Sequence, residues 1–209
     1  MIAIIDYGMG NLRSVQKALE KVGAQTLITQ NFSEIDRADK IVLPGVGAMP
    51  AAMKRLQELG LIEPIKNSIQ DGKPFLGICL GLQLLFEKGF EGEEVNGLGI
   101  FAGTVERFVS LKVPHMGWNQ LKIKKNTCEI FKGLQDLSNF YFCHSYYVKP
   151  KDTSIIAATT DYGIEFACAV ARGNVFGVQF HPEKSQTLGL EILKNFVQTE
   201  NSTLQRSAL

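Results

Sequence analysis

The 209 residues, 45% hydrophobic and 21% charged, suit one ordinary α/β domain over 1–209 with a sizeable core and a patternless, frayed tail at 200–209. A formal net charge of +1, with no stretch rich in Lys and Arg, argues against a nucleic-acid partner. No apolar run is long enough for a signal peptide or a bilayer span, which points to the cytoplasm and to no membrane partner.

The first elements alternate. Residues 2–6 form a short apolar run that ends in Asp and reads as a buried strand. Asn11 is placed to cap a helix whose Val15, Ala18, Leu19 and Val22 recur at helical spacing before Gly23. Residues 26–29 and 40–43 predict two more strands, the second breaking into Pro44-Gly45-Val46-Gly47. Met53, Leu56 and Leu59, then Ile62, Ile65 and Ile69, predict two short helices punctuated by Gly60 and Gly72. Residues 75–78 predict a strand and 80–88 a helix with Leu82, Leu85 and Phe86 inward. Such alternation predicts a mostly parallel central sheet with right-handed crossovers and helices on both faces.

After Gly89 the texture changes. Glycines at 92, 97, 99 and 103 and the β-rich run 104–109 predict hairpins at the edge of the sheet, an antiparallel extension of it. Residues 139–148, 154–160, 166–171 and 174–180 predict further strands, and 187–197 a closing helix.

Four cysteines stand at 79, 128, 143 and 168, with no C-x-x-C pair and no histidine at zinc-finger spacing, so no metal site is expected. Cys128, Cys143 and Cys168 read as small core residues. Cys79 differs. Gly77-Ile78-Cys79-Leu80-Gly81 lies between a predicted strand and a predicted helix, the setting of a nucleophile elbow with cysteine in place of serine. The helix amino terminus favours a thiolate there. A buried cysteine in a Gly-rich turn has the same local pattern. A thiol nucleophile needs a base held by a third group. His181-Pro182-Glu183 follows an apolar strand, and in extended chain His181 and Glu183 face one side; a solvated strand end reads the same way. Backbone N–H groups of Val46, Gly47 and Leu80 can supply an oxyanion hole, since glycines permit unusual peptide orientations. Taken alone, residues 44–47 are simply a turn.

Taken together, Pro-Gly-Val-Gly at 44–47, Gly-Ile-Cys-Leu-Gly-Leu-Gln at 77–83 and His-Pro-Glu at 181–183 resemble the class I glutamine amidotransferases over nearly the whole chain. Asp-Tyr-Gly-Met-Gly-Asn-Leu at 6–12, Pro-His-Met-Gly-Trp-Asn at 114–119 and His-Pro-Glu-Lys-Ser at 181–185 resemble the branch that serves as glutaminase subunit of imidazole glycerol phosphate synthase. The resemblance implies a flavodoxin-like glutaminase fold, no cofactor, and hydrolysis of glutamine through a glutamyl thioester on Cys79, with His181 moving protons and Glu183 holding it. It implies contacts to glutamine from Gly45, Gly47, Gln83, Ser145 and Tyr146. It also implies a heterodimer with a (β/α)₈-barrel cyclase subunit that receives the ammonia, with Asn11, Met116, Trp118 and Lys184 at or near the interface. Other readings of the same residues are an exposed helix position for Gln83, ordinary strand pairing for Ser145 and Tyr146, a core anchor for Trp118 and a solvated Lys184. His115 and His144 lie in these motifs without a proton-transfer role. A sister glutaminase feeding a sugar-amidating synthase, or a cysteine hydrolase on the same fold, would share the catalytic residues. A non-catalytic binding subunit fits poorly with an intact Cys-His-Glu set.

Overall fold

The computed structural model describes residues 1–124 and 128–200. Of the tail expected to fray, 200–209, residues 201–209 lie outside the described residues. Through the first half, β1 (Ile2–Ile5), α1 (Leu12–Lys21), β2 (Thr26–Thr29), α2 (Phe32–Arg37), β3 (Lys40–Gly45), α3 (Met49–Glu58), α4 (Ile62–Gln70), β4 (Phe75–Cys79) and α5 (Leu80–Leu84) succeed one another. The second half is strand-rich: β5 (Phe86–Glu91), β6 (Glu93–Asn96), β7 (Phe101–Arg107), β8 (His115–Gln120), β9 (Lys122–Ile123), β10 (Asn139–His144), β11 (Tyr146–Pro150), β12 (Ile156–Asp161), β13 (Glu165–Arg172) and β14 (Val175–Val178), closed by α6 (Gln186–Gln198).

β2-β1-β3-β4-β14 pair in parallel and form one side of the main sheet. The sheet continues through β13, β11, β7, β5 and β6. Successive side chains of the parallel strands go to opposite faces, so both faces must be covered. Ile2, Ile4, Val42, Leu76 and Ile78 share one core with Val15 and Leu19 of α1 and Ile192, Leu193 and Phe196 of α6. Ala3, Ile5, Ile41, Leu43 and Phe75 share the other with Ile35 of α2, Leu56 of α3 and Ile65 and Ile69 of α4. That two-sided burial explains why these strands read as unbroken apolar runs.

Several expectations need correction. The helix expected over 80–88 stops at Leu84, and Phe86 begins a strand that runs parallel to β7. The carbonyls of Leu84 and Leu85 are taken by the N–H groups of Leu98, Ile100 and Phe101, so no helical turn follows them. Leu82, Leu85 and Phe86 are inward as expected. β7 lies inside the sheet, between β11 and β5, rather than in an edge hairpin. The single strand expected over 139–148 is broken at Ser145: β10 pairs with β8 in a separate ribbon, while β11 joins the main sheet. α2 and β8 were not anticipated; α2 is short, and the Asn31 side chain caps it by accepting from Ser33 N–H at 2.9 Å. Asn11 does precede α1, but its side chain makes no capping hydrogen bond.

α5 leaves β4 without a linker, which two glycines allow. A Cβ on Gly81 would stand 1.8 Å from the Leu43 carbonyl oxygen, and one on Gly77 would stand 2.6 Å from the Gly81 oxygen. Both obstacles are backbone and cannot swing aside. Gly81→Ala is therefore expected to cost about 3 kcal/mol or more in stability. Gly23→Ala, at φ +90° with nothing within 4 Å of the added Cβ, should cost only about 1–2 kcal/mol from backbone strain. Urea unfolding midpoints compare the two, and equal losses would mean that the elbow backbone yields.

Candidate active site

The carboxyl ends of β3, β4 and β14 meet on one rim of the sheet, where open α/β sheets bind their ligands. Gly45 closes β3 in register with Cys79, the last residue of β4. Val178 ends β14 beside Ile78, so Gln179 and His181 emerge at the same rim. Three segments far apart in sequence are brought together by strand order alone.

Cys79 has φ +55° and ψ −108° and is 6% exposed. A positive φ is strained for a residue with a β-carbon. Here the parallel register on one side and the close-packed Gly81 on the other hold it. Beyond β14 the chain is pinned to β10: His181 N–H donates to the Tyr141 carbonyl at 2.9 Å. The Ser185 hydroxyl donates to the His181 carbonyl at 2.7 Å and accepts from Tyr141 N–H at 3.0 Å.

His181 Nδ1 lies 2.9 Å from Glu183 Oε1, and the two side chains are only 5% and 2% exposed. The route to this pair differs from the expected extended strand. His181 itself is extended, but Pro182–Lys184 form a 3₁₀ turn that carries Glu183 back under the ring. Burial by itself pulls the His181 pKa down. Hydrogen bonds to the Cys79 and Glu183 side chains, and their negative charges, outweigh it and push the pKa up to about 10. With Nδ1 committed to Glu183, Nε2 is the ring nitrogen left for the thiol. Glu183 Oε2 is buried and has no hydrogen-bond partner among the described residues.

A cleft of about 420 Å³ opens over Cys79. Of the residues singled out from sequence, Val46, Gly47, Leu80, Gln83, Ser145, Tyr146, His181 and Lys184 line it with Cys79. Gly45 lies beneath, where a Cβ would meet the Tyr7 hydroxyl at 2.3 Å. Glu183 sits behind His181. Gln83 is 5% exposed, so the exposed helix position does not apply. Its Nε2 donates to the Tyr146 carbonyl and to Gln179 Oε1, each at 3.1 Å.

Asn11, Met116 and Trp118 do not line the cleft. Met116 is 60% and Trp118 49% exposed on β8, so Trp118 is not a core anchor. Trp118 meets the Tyr141 ring edge-on at 6.1 Å between centroids, and Lys184 Nζ lies 5.8 Å from the Tyr141 centroid. Cys128 and Cys168 are buried as expected, whereas Cys143 lines the cleft and its carbonyl lies 3.9 Å from Cys79 Sγ.

Sequence reading missed several participants. Glu91 lines the cleft, and its Oε2 accepts from Met49 N–H at 2.7 Å at the start of α3; His144, named in its motif, lines the cleft as well. Tyr7 is fully buried under Gly45, and burial, with the charge of Cys79, raises its pKa strongly. Gln179 is fully buried, and its Nε2 lies 3.6 Å from Cys79 Sγ. Its one sequence signal is a polar residue inside the apolar run Val175-Phe-Gly-Val-Gln-Phe180. His144 and His115 hydrogen-bond each other at 2.9 Å between Nε2 and Nδ1. Burial depresses them to about 3 and about 4, so both are neutral near pH 7.

The raised His181 pKa has a definite sign in stability. Its protonation stabilises the fold fully below the ordinary value of 6.5, and that contribution is lost as pH rises through about 10. Glu183→Gln removes one of the charges that hold the proton, so the alkaline loss should begin at lower pH. Urea midpoints measured across that range check it; a variant curve parallel to the wild type would separate Glu183 from His181.

The sequence matches the family described as Glutamine amidotransferase class-I over residues 3–199. It is 54% identical over 204 residues to the imidazole glycerol phosphate synthase subunit HisH of Syntrophotalea carbinolica, covering 94% of this chain and 98% of that one. The subunit of the same name from Thermosynechococcus vestitus is 55% identical over 200 residues, covering 94% and 95%. Among solved structures, a glutamine amidotransferase superposes with a TM-score of 0.75 at 18% identity over 95% of this chain and 98% of that one. PurLQS from Thermotoga maritima superposes with a TM-score of 0.72 at 20% identity over 99% and 98%. These two show the fold, a mixed sheet with a parallel core and flanking helices, as the motifs implied. By sequence over nearly its full length and by its fold, the chain belongs to the class I glutamine amidotransferase family.

Proposed function

We propose that this chain is the glutaminase subunit of an imidazole glycerol phosphate synthase, acting in histidine biosynthesis in the cytoplasm. The observation that carries the chemistry is the strained Cys79 at the rim of the sheet, sharing its cleft with His181, whose Nδ1 is held by Glu183 behind it. Similarity to subunits named for that synthase favours the histidine branch over a sugar-amidating one.

In this reading the Cys79 sulfur attacks the side-chain amide carbon of glutamine. The carbonyl oxygen becomes an oxyanion facing the backbone N–H groups of Leu80 and of Val46 or Gly47, donors worth roughly 10²–10³ in rate each. Protonated His181 delivers its proton to the amide nitrogen, the C–N bond breaks, and ammonia leaves a glutamyl thioester on Cys79. Neutral His181 then takes a proton from water, whose oxygen attacks the thioester. Collapse returns the sulfur and releases glutamate. Glu183 fixes the ring tautomer and steadies the imidazolium. Gly47, Ser145 and Tyr146 contact the amino-acid end of glutamine, and Gly45 and Gln83 help to hold it.

Ammonia, rather than ammonium, is the nucleophile the acceptor needs, so release into bulk water would waste most of it by protonation. A (β/α)₈-barrel cyclase subunit seated beside the cleft as heterodimer partner avoids that loss. Exposed Asn11, Met116, Trp118 and Lys184 form its docking residues, with Trp118 a typical aromatic anchor.

Two outcomes are expected. The isolated chain should hydrolyse glutamine poorly and gain activity when the cyclase subunit and its ligand bind; full activity alone would overturn the partner dependence. Cys79→Ala should abolish glutamine turnover while the assembled synthase still uses added ammonium salt. Glutamine turnover retained by that variant would remove Cys79 from the mechanism.

A further inference from the structure

Outside the Cys79, His181 and Glu183 set, the Gln179 side chain approaches the sulfur. Gln179 is fully buried at the exit of β14, with its backbone N–H on the Cys168 carbonyl at 2.8 Å. Its side-chain amide stands between Cys79 and Gln83. An amide can be turned either way, and here its neighbours decide.

The deciding group is the Tyr146 carbonyl, whose two lone pairs face two side chains. One is Gln83 Nε2 at 3.1 Å and the other His144 Nδ1 at 2.7 Å. A carbonyl only accepts, so Gln83 must present its nitrogen. The second hydrogen of that nitrogen points to Gln179 at 3.1 Å, which must therefore present its oxygen. Gln179 Nε2 is thereby aimed at Cys79 Sγ, 3.6 Å away. Turning the Gln179 amide over would oppose two N–H donors on one side and set an oxygen against the sulfur on the other. In a buried site each such mismatch is costly.

The far side of the chain is determined in the same way. His144 Nδ1 donates to Tyr146, so its Nε2 accepts from His115 Nδ1. His115 Nε2 in turn accepts from Asn119 Nδ2 at 3.2 Å, a nitrogen that also donates to the Asp161 carbonyl at 2.7 Å. Backbone carbonyls at Tyr146 and Asp161 set the direction of every bond between. Packing locks the rings: His115 lies between Phe142 and Tyr162, with centroids at 4.8 and 4.1 Å.

We infer that Gln179 is a dedicated hydrogen-bond donor to the Cys79 sulfur, oriented by Gln83 through the Tyr146 carbonyl. The inference rests on Cys79 being the nucleophile and deepens that reading. A donor aimed at sulfur stabilises it most when it carries negative charge, and it leaves a lone pair directed into the cleft. Gln83 acquires a second duty. Both of its N–H bonds are spent on positioning, which leaves its oxygen to meet a ligand.

The test compares wild type, Gln179→Met and Gln179→Glu. Methionine keeps the length and bulk of glutamine and removes the donor; glutamate keeps the shape and sets a carboxylate against the sulfur. Circular dichroism melts establish that each variant is folded. The pH profile of Cys79 alkylation by iodoacetamide should move to the alkaline side by about one pH unit in Gln179→Met, and further in Gln179→Glu. In the assembled synthase, kcat for glutamine should fall about tenfold in Gln179→Met with KM changed much less. A folded Gln179→Met variant with the wild-type alkylation profile would overturn the inference. Should neither variant fold, the wild-type chain still decides. The Gln179 side-chain ¹⁵N–¹H resonances should titrate together with Cys79 alkylation, and resonances flat across that titration would overturn it. Glutamine turnover retained by Cys79→Ala would instead overturn the nucleophile, a separate result.

Discussion

At the end of β4 the chain turns from strand to helix within a single residue, and Cys79 is that residue. Its φ of +55° is tolerable because neighbouring backbone leaves no alternative path. β3 is paired along one side as far as Gly45, β14 along the other as far as Ile78, and Gly81 rests on the Leu43 carbonyl where a single β-carbon would not fit. The strain at one residue is thus offset by packing spread over three strands. Everything else in the site is placed relative to that turn. The Gly45-Val46-Gly47 segment leaves the adjacent strand on one side, and His181 leaves the adjacent strand on the other.

Two histidines line the same cleft with opposite protonation tendencies, and their surroundings explain the split. Both are buried, which by itself disfavours the cation. His181 has two acidic partners, Cys79 and Glu183, and its pKa rises to about 10. His144 has a neutral imidazole, a backbone carbonyl and aromatic rings, and its pKa falls to about 3. One ring is suited to carrying a proton, and the other to holding its neighbours still. Burial is a poor guide to charge without the identity of the partners.

Much of this was legible in the sequence, for reasons that also explain the misses. β1, β3, β4 and β14 are buried, largely apolar runs, and β3 breaks into Pro44-Gly45, so their existence could be read directly. Cys79, His181 and Glu183 could be singled out because each sits in a short local pattern. The end of α5 was misplaced because Leu82, Leu85 and Phe86 point inward whether 85–88 is helix or strand. What decides the matter is the capture of the Leu84 and Leu85 carbonyls by residues 98–101, a tertiary event. Nothing in Phe142-Cys-His-Ser-Tyr-Tyr147 announces that Ser145 divides two sheets. Gln179 escaped notice because its partners, Gln83 and Cys79, are 96 and 100 residues away. A lone glutamine at a strand end carries no motif, but a polar residue amid apolar neighbours must find partners once buried.

The ribbon of β8 and β10 links the two halves of the proposed function by geometry. Alternation along β8 sends Met116 and Trp118 outward and keeps His115 and Asn119 in the hydrogen-bonded chain. Along β10, Tyr141 meets Trp118 and Lys184, while two residues later Cys143 presents its carbonyl to the Cys79 sulfur. In register, Tyr141 faces Trp118 and Cys143 faces Met116. A partner gripping the outward residues would therefore hold the same two strands that carry His115, His144 and the Cys143 carbonyl. The inner edge of the same ribbon lies against Cys79, with the Cys143 carbonyl 3.9 Å from its sulfur. The exposed aromatic and the buried histidine pair are consequences of one period-two pattern, which puts the proposed docking residues Met116 and Trp118 within one strand of Cys143, whose carbonyl faces the sulfur.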